Sequence, residues 1–151
     1  LINKEEFIQF LIDEQALRFG TFTLKSGLRS PFFINIGDLC SGRGLNFLGQ
    51  ALAEKIHEDF GDTQILFGPP YKGIAMVTAA AMAWNKLYEK PIHTLYNRKE
   101  AKGHGERGLF VGKEPRPGNK IVLVDDVRTT GGTKVEAIQL VEKTFNVQAA
   151  G

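Results

Sequence analysis

The sequence predicts an α/β protein with a central, mainly parallel sheet flanked by helices and a small helix-and-hairpin hood at its N-terminal end. Three observations carry this. Short apolar runs at 65–67 and 121–124 have the length and composition of strands buried on both faces, and 92–96 reads as another strand. Amphipathic helical patterns at about 45–59, 74–88 and beyond 133 alternate with them, the order that parallel sheets require. Each run ends in glycine, proline or charge, and ligands of open parallel sheets bind at those carboxyl ends.

Taken in order, Asn3 caps a first helix, with Glu6 three residues later completing a capping box. Phe7, Ile8, Leu11 and Ile12 form its apolar face, and Gly20 is the expected terminator. A strand at 22–24 breaks at Lys25-Ser26-Gly27 and resumes at 32–36, with Pro31 marking an edge or turn. Phe32 and Phe33 alternate along it, so at least one is expected in the core and the other is available to stack on a flat ring. Gly42 and Gly44 precede the second helix, whose apolar side is Leu45, Leu48, Leu52 and Ile56. The strand at 65–67 leads into Gly68-Pro69-Pro70-Tyr71-Lys72-Gly73 and an alanine-rich helix suited to close packing on a sheet.

Residues 97–114 hold six basic side chains, four glycines and one apolar patch, Leu109-Phe110-Val111. The segment reads as a functional loop or lid rather than a packed element, the alternative being a solvated stretch. Pro115 and Pro117 introduce the strand at 121–124.

Composition narrows the function classes. The chain has 151 residues, 42% hydrophobic and 24% charged, enough for one domain (1–151) with a sizeable core. A net charge of +2 gives no reason to expect a nucleic-acid partner, and no apolar run approaches the ~20 residues of a membrane span. Cys40 is the sole cysteine, so no internal disulfide forms and a reducing, cytoplasmic setting is expected. The chain begins with Leu1, and 147–151 reads as a strand cut short; a piece of a longer protein is expected.

The chemistry concentrates at 121–133, IVLVDDVRTTGGT. A buried strand, a glycine loop rich in hydroxyls and a helix N-terminus together bind phosphate, because free backbone N–H groups and the positive end of the helix dipole converge there. Two carboxylates, Asp125 and Asp126, stand in the same loop and need sugar hydroxyls or a ligand-bridging divalent cation to hold. A sugar phosphate satisfies both halves. The loop lacks the Walker A spacing, and no dinucleotide-binding glycine fingerprint comes after a strand. One cysteine and three scattered histidines build no zinc site. Lys25 and Lys72 each stand beside or near glycine in a turn after a strand, as surface charges or as anion contacts. His104 lies between glycines in the basic loop; His57 and His93 read as structural. No chemistry is assigned to Cys40, and Asp38 and Arg43 read as surface residues.

VLVDDVRTTGGT resembles the phosphoribosyl-pyrophosphate (PRPP) loop of type I phosphoribosyltransferases, and three further stretches, FTLKSGLRSPFFINIG (22–37), GPPYKGI (68–74) and RKEAKGHGERG (98–108), resemble the orotate-specific members. The resemblance implies a type I phosphoribosyltransferase-like fold, with residues 1–40 as the hood and 41–151 as the PRPP-binding core. It implies Mg²⁺-dependent transfer of phosphoribose from PRPP to orotate, with release of pyrophosphate, in pyrimidine biosynthesis. Asp125 and Asp126 would hold the ribose hydroxyls, and the loop from Val127 through Arg128, Thr129, Thr130, Gly131 and Gly132 to Thr133 would wrap the 5′-phosphate. Lys25, Tyr71, Lys72, Arg98, Lys99, Lys102 and His104 would contact PRPP, chiefly its pyrophosphate, with Lys102 and His104, together with Asp125 and Asp126, serving catalysis. Phe33, Ile34 and Thr129 would meet orotate. No residue is expected to bind Mg²⁺ directly; PRPP and water would hold it. A homodimer with shared sites is implied, because the basic loop of this family reaches the neighbouring subunit. Arg128, Gly132 and Leu28 depart from the family's commoner residues, and its orotate-pairing arginine would fall beyond Gly151. A purine-using member of the family and a non-enzymatic PRPP-binding regulator are the alternatives. The basic loop counts against the regulator.

Overall fold

In a computed structural model, which describes residues 1–24, 26–100, 106–126 and 132–151, the elements run in the order α1 (Lys4–Asp13), β1 (Leu17–Thr23), β2 (Arg29–Ile34), α2 (Gly42–Phe60), β3 (Ile65–Phe67), α3 (Lys72–Tyr88), β4 (His93–Asn97), β5 (Phe110–Gly112), β6 (Ile121–Leu123) and α4 (Gly132–Phe145). Short 3₁₀ turns occupy Ile36–Asp38 and Glu106–Leu109. The larger sheet runs β5-β4-β3-β6, parallel except for β5; β1 and β2 form a separate antiparallel hairpin.

The two-residue period of a strand explains the core. Ile65, Phe67 and Ile121 point to one face, where Val141 and Phe145 of α4 cover them together with Leu95 and Phe110. Leu66, Val122 and Val124 point to the other, against Met76, Val77, Ala80 and Trp84 of α3 and Leu48, Ala53 and Ile56 of α2. All three residues of β3 are at most 1% exposed, as a strand covered on both faces must be. Helices α2 and α3 lie close because Gly49 brings no side chain to the contact: a Cβ there would stand 2.5 Å from the Ala79 carbonyl oxygen.

Four expectations need correction. Gly20 does not end the first helix; it lies inside β1, next to a register shift between Phe19 and Phe22, and α1 stops at Asp13, with Asn3 capping its start through Glu6 N–H. Ile8 is exposed and Phe10 is buried in its place, stacked on Phe47 of α2 at 3.8 Å between ring centroids. Neither Phe32 nor Phe33 reaches the core: among the described residues the hairpin is buried only at its Leu17 end, and Phe32 is 46% exposed and Phe33 half-buried. Part of the basic segment is packed structure, because β5 pairs antiparallel with β4 and buries Phe110 against Phe67 and Phe145. The final residues lie beside β6, with a parallel bridge between Ile121 and Ala149 and a hydrogen bond from Leu123 N to Gly151 O. Among the described residues no helix is long and apolar enough to cross a membrane.

Glu54 on α2 is buried, yet its carboxylate accepts from Gln50 Nε2 at 2.9 Å and from the Ile2 backbone N–H at 2.6 Å. Burial pushes its pKa up, but these hydrogen bonds outweigh burial and hold it below the ordinary carboxylate value. A folded-state pKa below the unfolded one stabilises the fold at neutral pH, and that contribution is lost as pH falls through the folded value. Urea unfolding between about pH 3 and pH 6 should therefore show an acid-side loss of stability that Glu54→Gln flattens. Gly49→Ala should cost about 1–3 kcal/mol by forcing α2 from α3. Gly42→Ala, whose Cβ meets nothing within 4 Å at the start of α2, should be neutral or stabilising, both glycine variants being compared by urea unfolding at neutral pH.

Candidate active site

Three parallel strands finish side by side, and hydrogen bonds continue past their ends: Val124 N donates to Phe67 O, and Gly68 N to Leu95 O, both at 2.9 Å. The residues immediately after each strand are thereby delivered to one edge. After β3 the chain turns tightly through 68–73. A Cβ on Gly73 would lie 2.9 Å from the Gly68 carbonyl carbon, so the turn closes because both positions are glycine. Tyr71, 66% exposed, and Lys72, the first residue of α3, stand at its exit.

Asp126, after β6, meets this turn. Its Oδ2 accepts from Lys72 Nζ at 2.7 Å, and the same ammonium donates to Asn35 Oδ1 at 3.0 Å. Asp125 faces a second lysine: Lys134 Nζ lies 3.0 Å from Asp125 Oδ2, both side chains only about one-fifth exposed (19% and 21%). The Asp126 backbone N–H donates to Asp125 Oδ1 at 2.9 Å. Lys99, after β4, places its ammonium 4.6 Å from the centre of the Tyr71 ring, a cation–π distance.

The expected site residues divide accordingly. Tyr71, Lys72, Lys99, Asp125 and Asp126 converge as the strand-end rule requires. Arg98 is directed into the fold instead: its Nη1 donates to the carbonyls of Gly108 and Phe110 at 3.1 and 3.2 Å, fastening β5 to the end of β4. Phe33 and Ile34 lie on the hairpin, the first beneath the Arg18 guanidinium at 5.6 Å and the second 37% exposed. Gly132 and Thr133 open α4. Lys25, Lys102, His104, Val127, Arg128, Thr129, Thr130 and Gly131 lie outside the described residues.

Sequence reasoning overlooked Asn35 and Lys134. Lys134 carried a usable signal, since a cation in the first turn of a helix opposes the dipole and needs a nearby anion. Asn35-Ile36-Gly37 carried another, the side-chain-to-backbone turn in which Gly37 N donates to Asn35 Oδ1 at 3.2 Å. Among the described residues no three carboxylate, histidine or cysteine side chains gather to cage a metal, and each loop carboxylate already faces an ammonium. Such a donor set suits a cation that arrives on a multiply charged ligand.

Adjacent carboxylates matched by lysines stand at the carboxyl edge of a parallel sheet and before a helix N-terminus, the place where an α/β protein of this class holds its ligand. The phosphoribosyl transferase domain family matches residues 39–147. The orotate phosphoribosyltransferase of Agathobacter rectalis is 41% identical over 98% of this chain and 66% of its own length, and that of Clostridium acetobutylicum is 40% identical with the same coverage. A crystal structure of the Francisella tularensis orotate phosphoribosyltransferase superposes with a TM-score of 0.83 at 35% identity, covering 100% of this chain and 68% of that one. The chain belongs to the phosphoribosyltransferase family, among the orotate phosphoribosyltransferases. It spans 66% of the length of the first two relatives.

Because Arg98 holds two carbonyls on the part-buried side of β5, Arg98→Gln should destabilise the fold by about 1–3 kcal/mol. Hydrogen exchange should quicken first in 110–112, while exchange at 65–67 stays slow.

Proposed function

We propose that this chain carries the PRPP-binding core (41–151) and hood (1–40) of an orotate phosphoribosyltransferase, which joins the orotate ring nitrogen to C1 of PRPP. In this reaction the bond from C1 to the pyrophosphate oxygen breaks, the electron pair leaves with pyrophosphate, the ring nitrogen gives up its proton to the leaving group or solvent, and orotidine 5′-monophosphate forms. The observation that carries the reading is the meeting of Lys72, Lys134, Asp125 and Asp126 at the strand ends, in a chain whose relatives match it from end to end.

The charges suit the reaction. Positive charge grows at C1 and negative charge on the leaving group, so catalysis rests on positioning and on cations that stabilise pyrophosphate. Asp125 and Asp126 anchor the ribose hydroxyls, and the N-terminus of α4 with the loop through Thr133 receives the 5′-phosphate. Tyr71, Lys72 and Lys99 border the pyrophosphate side, joined by Lys25, Lys102 and His104, while Arg98 fastens β5 beside them. Magnesium, held by PRPP and water, would add charge neutralisation to the leaving group. Phe33, Ile34 and Thr129 flank the base. Lys102 stabilises the leaving group, and closure of the basic loop excludes water that would otherwise hydrolyse PRPP. The active unit is a homodimer in which 98–108 of each copy also serves its neighbour.

The decisive assay follows orotate consumption with PRPP and Mg²⁺, using this chain and a form extended to its relatives' length. Orotate-dependent release of pyrophosphate is the expected result; release with hypoxanthine or adenine but not orotate would reassign the base. Lys102→Ala should lower kcat by about 10²–10³ while PRPP affinity changes by less than about fivefold, and equal losses would confine it to ground-state binding. Asp125→Asn should weaken PRPP capture by about tenfold or more, measured by calorimetry with Mg²⁺ present.

A further inference from the structure

Asn35 joins the hood hairpin to the sugar loop through a chain of contacts that the reaction chemistry does not itself require. Its Oδ1 accepts from Lys72 Nζ at 3.0 Å and from Gly37 N at 3.2 Å. Its Nδ2 donates to Asp38 Oδ1 at 2.8 Å. Lysine only donates and a carboxylate only accepts, so the orientation of the amide is fixed by its partners. Beyond Asp38, Oδ2 lies 3.4 Å from Arg18 Nη2, and the Arg18 guanidinium covers Phe33, its cross-strand neighbour on the hairpin. On the other side Lys72 reaches Asp126 at 2.7 Å. The path from Phe33 to Asp126 therefore runs through Arg18, Asp38, Asn35 and Lys72 without a gap.

The backbone is shaped for this contact. A Cβ on Gly37 would stand 3.2 Å from both Asn35 Oδ1 and Lys72 Cε, so glycine lets the hood close onto the lysine. The amide is also chemically specific. Aspartate in its place keeps the acceptor for Lys72 but loses the donor and sets a carboxylate against Asp38; serine is too short to meet both partners.

Resting on the function proposed above, we infer that Asn35 is a positioning residue, holding Lys72 on Asp126 and thereby coupling the base-facing hairpin to the ribose carboxylates. A base settling on Phe33 steadies Arg18 and Asp38, which in turn hold Asn35 and Lys72 in the arrangement that receives PRPP. The coupling is reciprocal: PRPP tightens the base by the same factor.

The test is the PRPP dissociation constant, measured calorimetrically with Mg²⁺, with and without saturating orotate, in the full-length protein. Wild type should bind PRPP about fivefold or more tightly with orotate present. Asn35→Ala should weaken PRPP alone and bring that ratio close to one. Arg18→Gln, which leaves Lys72 and Asp126 untouched, should keep PRPP affinity alone and still lose the ratio. Asn35→Asp should behave as Asn35→Ala, although it keeps the lysine contact. Thermal melts of each variant within a few degrees of wild type would separate these losses from unfolding. A wild-type ratio of one, or a full ratio in both Asn35→Ala and Arg18→Gln, overturns the coupling while leaving the phosphoribosyltransferase reading intact. Absence of PRPP binding by the wild type overturns both.

Discussion

Ile65, Leu66 and Phe67 pair on one side with 93–95 and on the other with 121–123, while helices cover both faces. Everything at the site depends on this double pairing. A strand of three residues makes few backbone hydrogen bonds of its own, so its place is held by the apolar surface buried above and below it. With β3 held, the turn at 68–73 and the loop after β6 emerge at the same edge, and Lys72 meets Asp126. The alternation of Leu66 with Ile65 and Phe67 thus connects the packing of two separate clusters to the geometry of one ion pair.

That ion pair and its neighbour show how an acidic pair persists just ahead of a helix N-terminus. Two adjacent carboxylates would repel each other and any phosphate approaching them. Lys72 and Lys134 offset this from opposite directions, one at the start of α3 and the other in the first turn of α4. Lys72 is about half exposed, so the attraction across it adds little to the stability of the fold. Its value lies in orientation. The ammonium aims one carboxylate while its second bond reaches Asn35, which adds a polar link to the apolar packing of Phe10, Leu11, Leu17 and Leu39 against the core.

Much of the architecture was legible from residue pattern because it rests on local periodicity. The strands at 65–67 and 121–123, the helices α2, α3 and α4, and the Asn3 cap derive from hydrophobic spacing and capping chemistry. Failures came where one alternation had two readings. Phe32-Phe33 has the pattern of a core strand because a period of two does not say whether a second layer covers it, and among the described residues neither ring is buried. Gly20 looked like a helix stop because strand irregularities and helix ends use the same residue. The patch at 109–111 was assigned to a lid because three apolar residues among charges give too short a signal to declare an edge strand.

By itself, the sequence determined the first helix, the buried parallel strands with the helices that follow them, and the kinds of groups in the loop after β6, since these are written in contiguous residues. The family came from motifs of the same contiguous kind. The tertiary structure alone decided which charges meet. Lys72 and Asp126 are separated by 54 positions and Lys72 and Asn35 by 37, distances over which no periodicity carries information. It also turned Arg98 inward to the β5 carbonyls and set Lys134 on Asp125. A guanidinium or an ammonium reaches whichever oxygen the fold brings within about 3 Å, and only packing sets which oxygen that is.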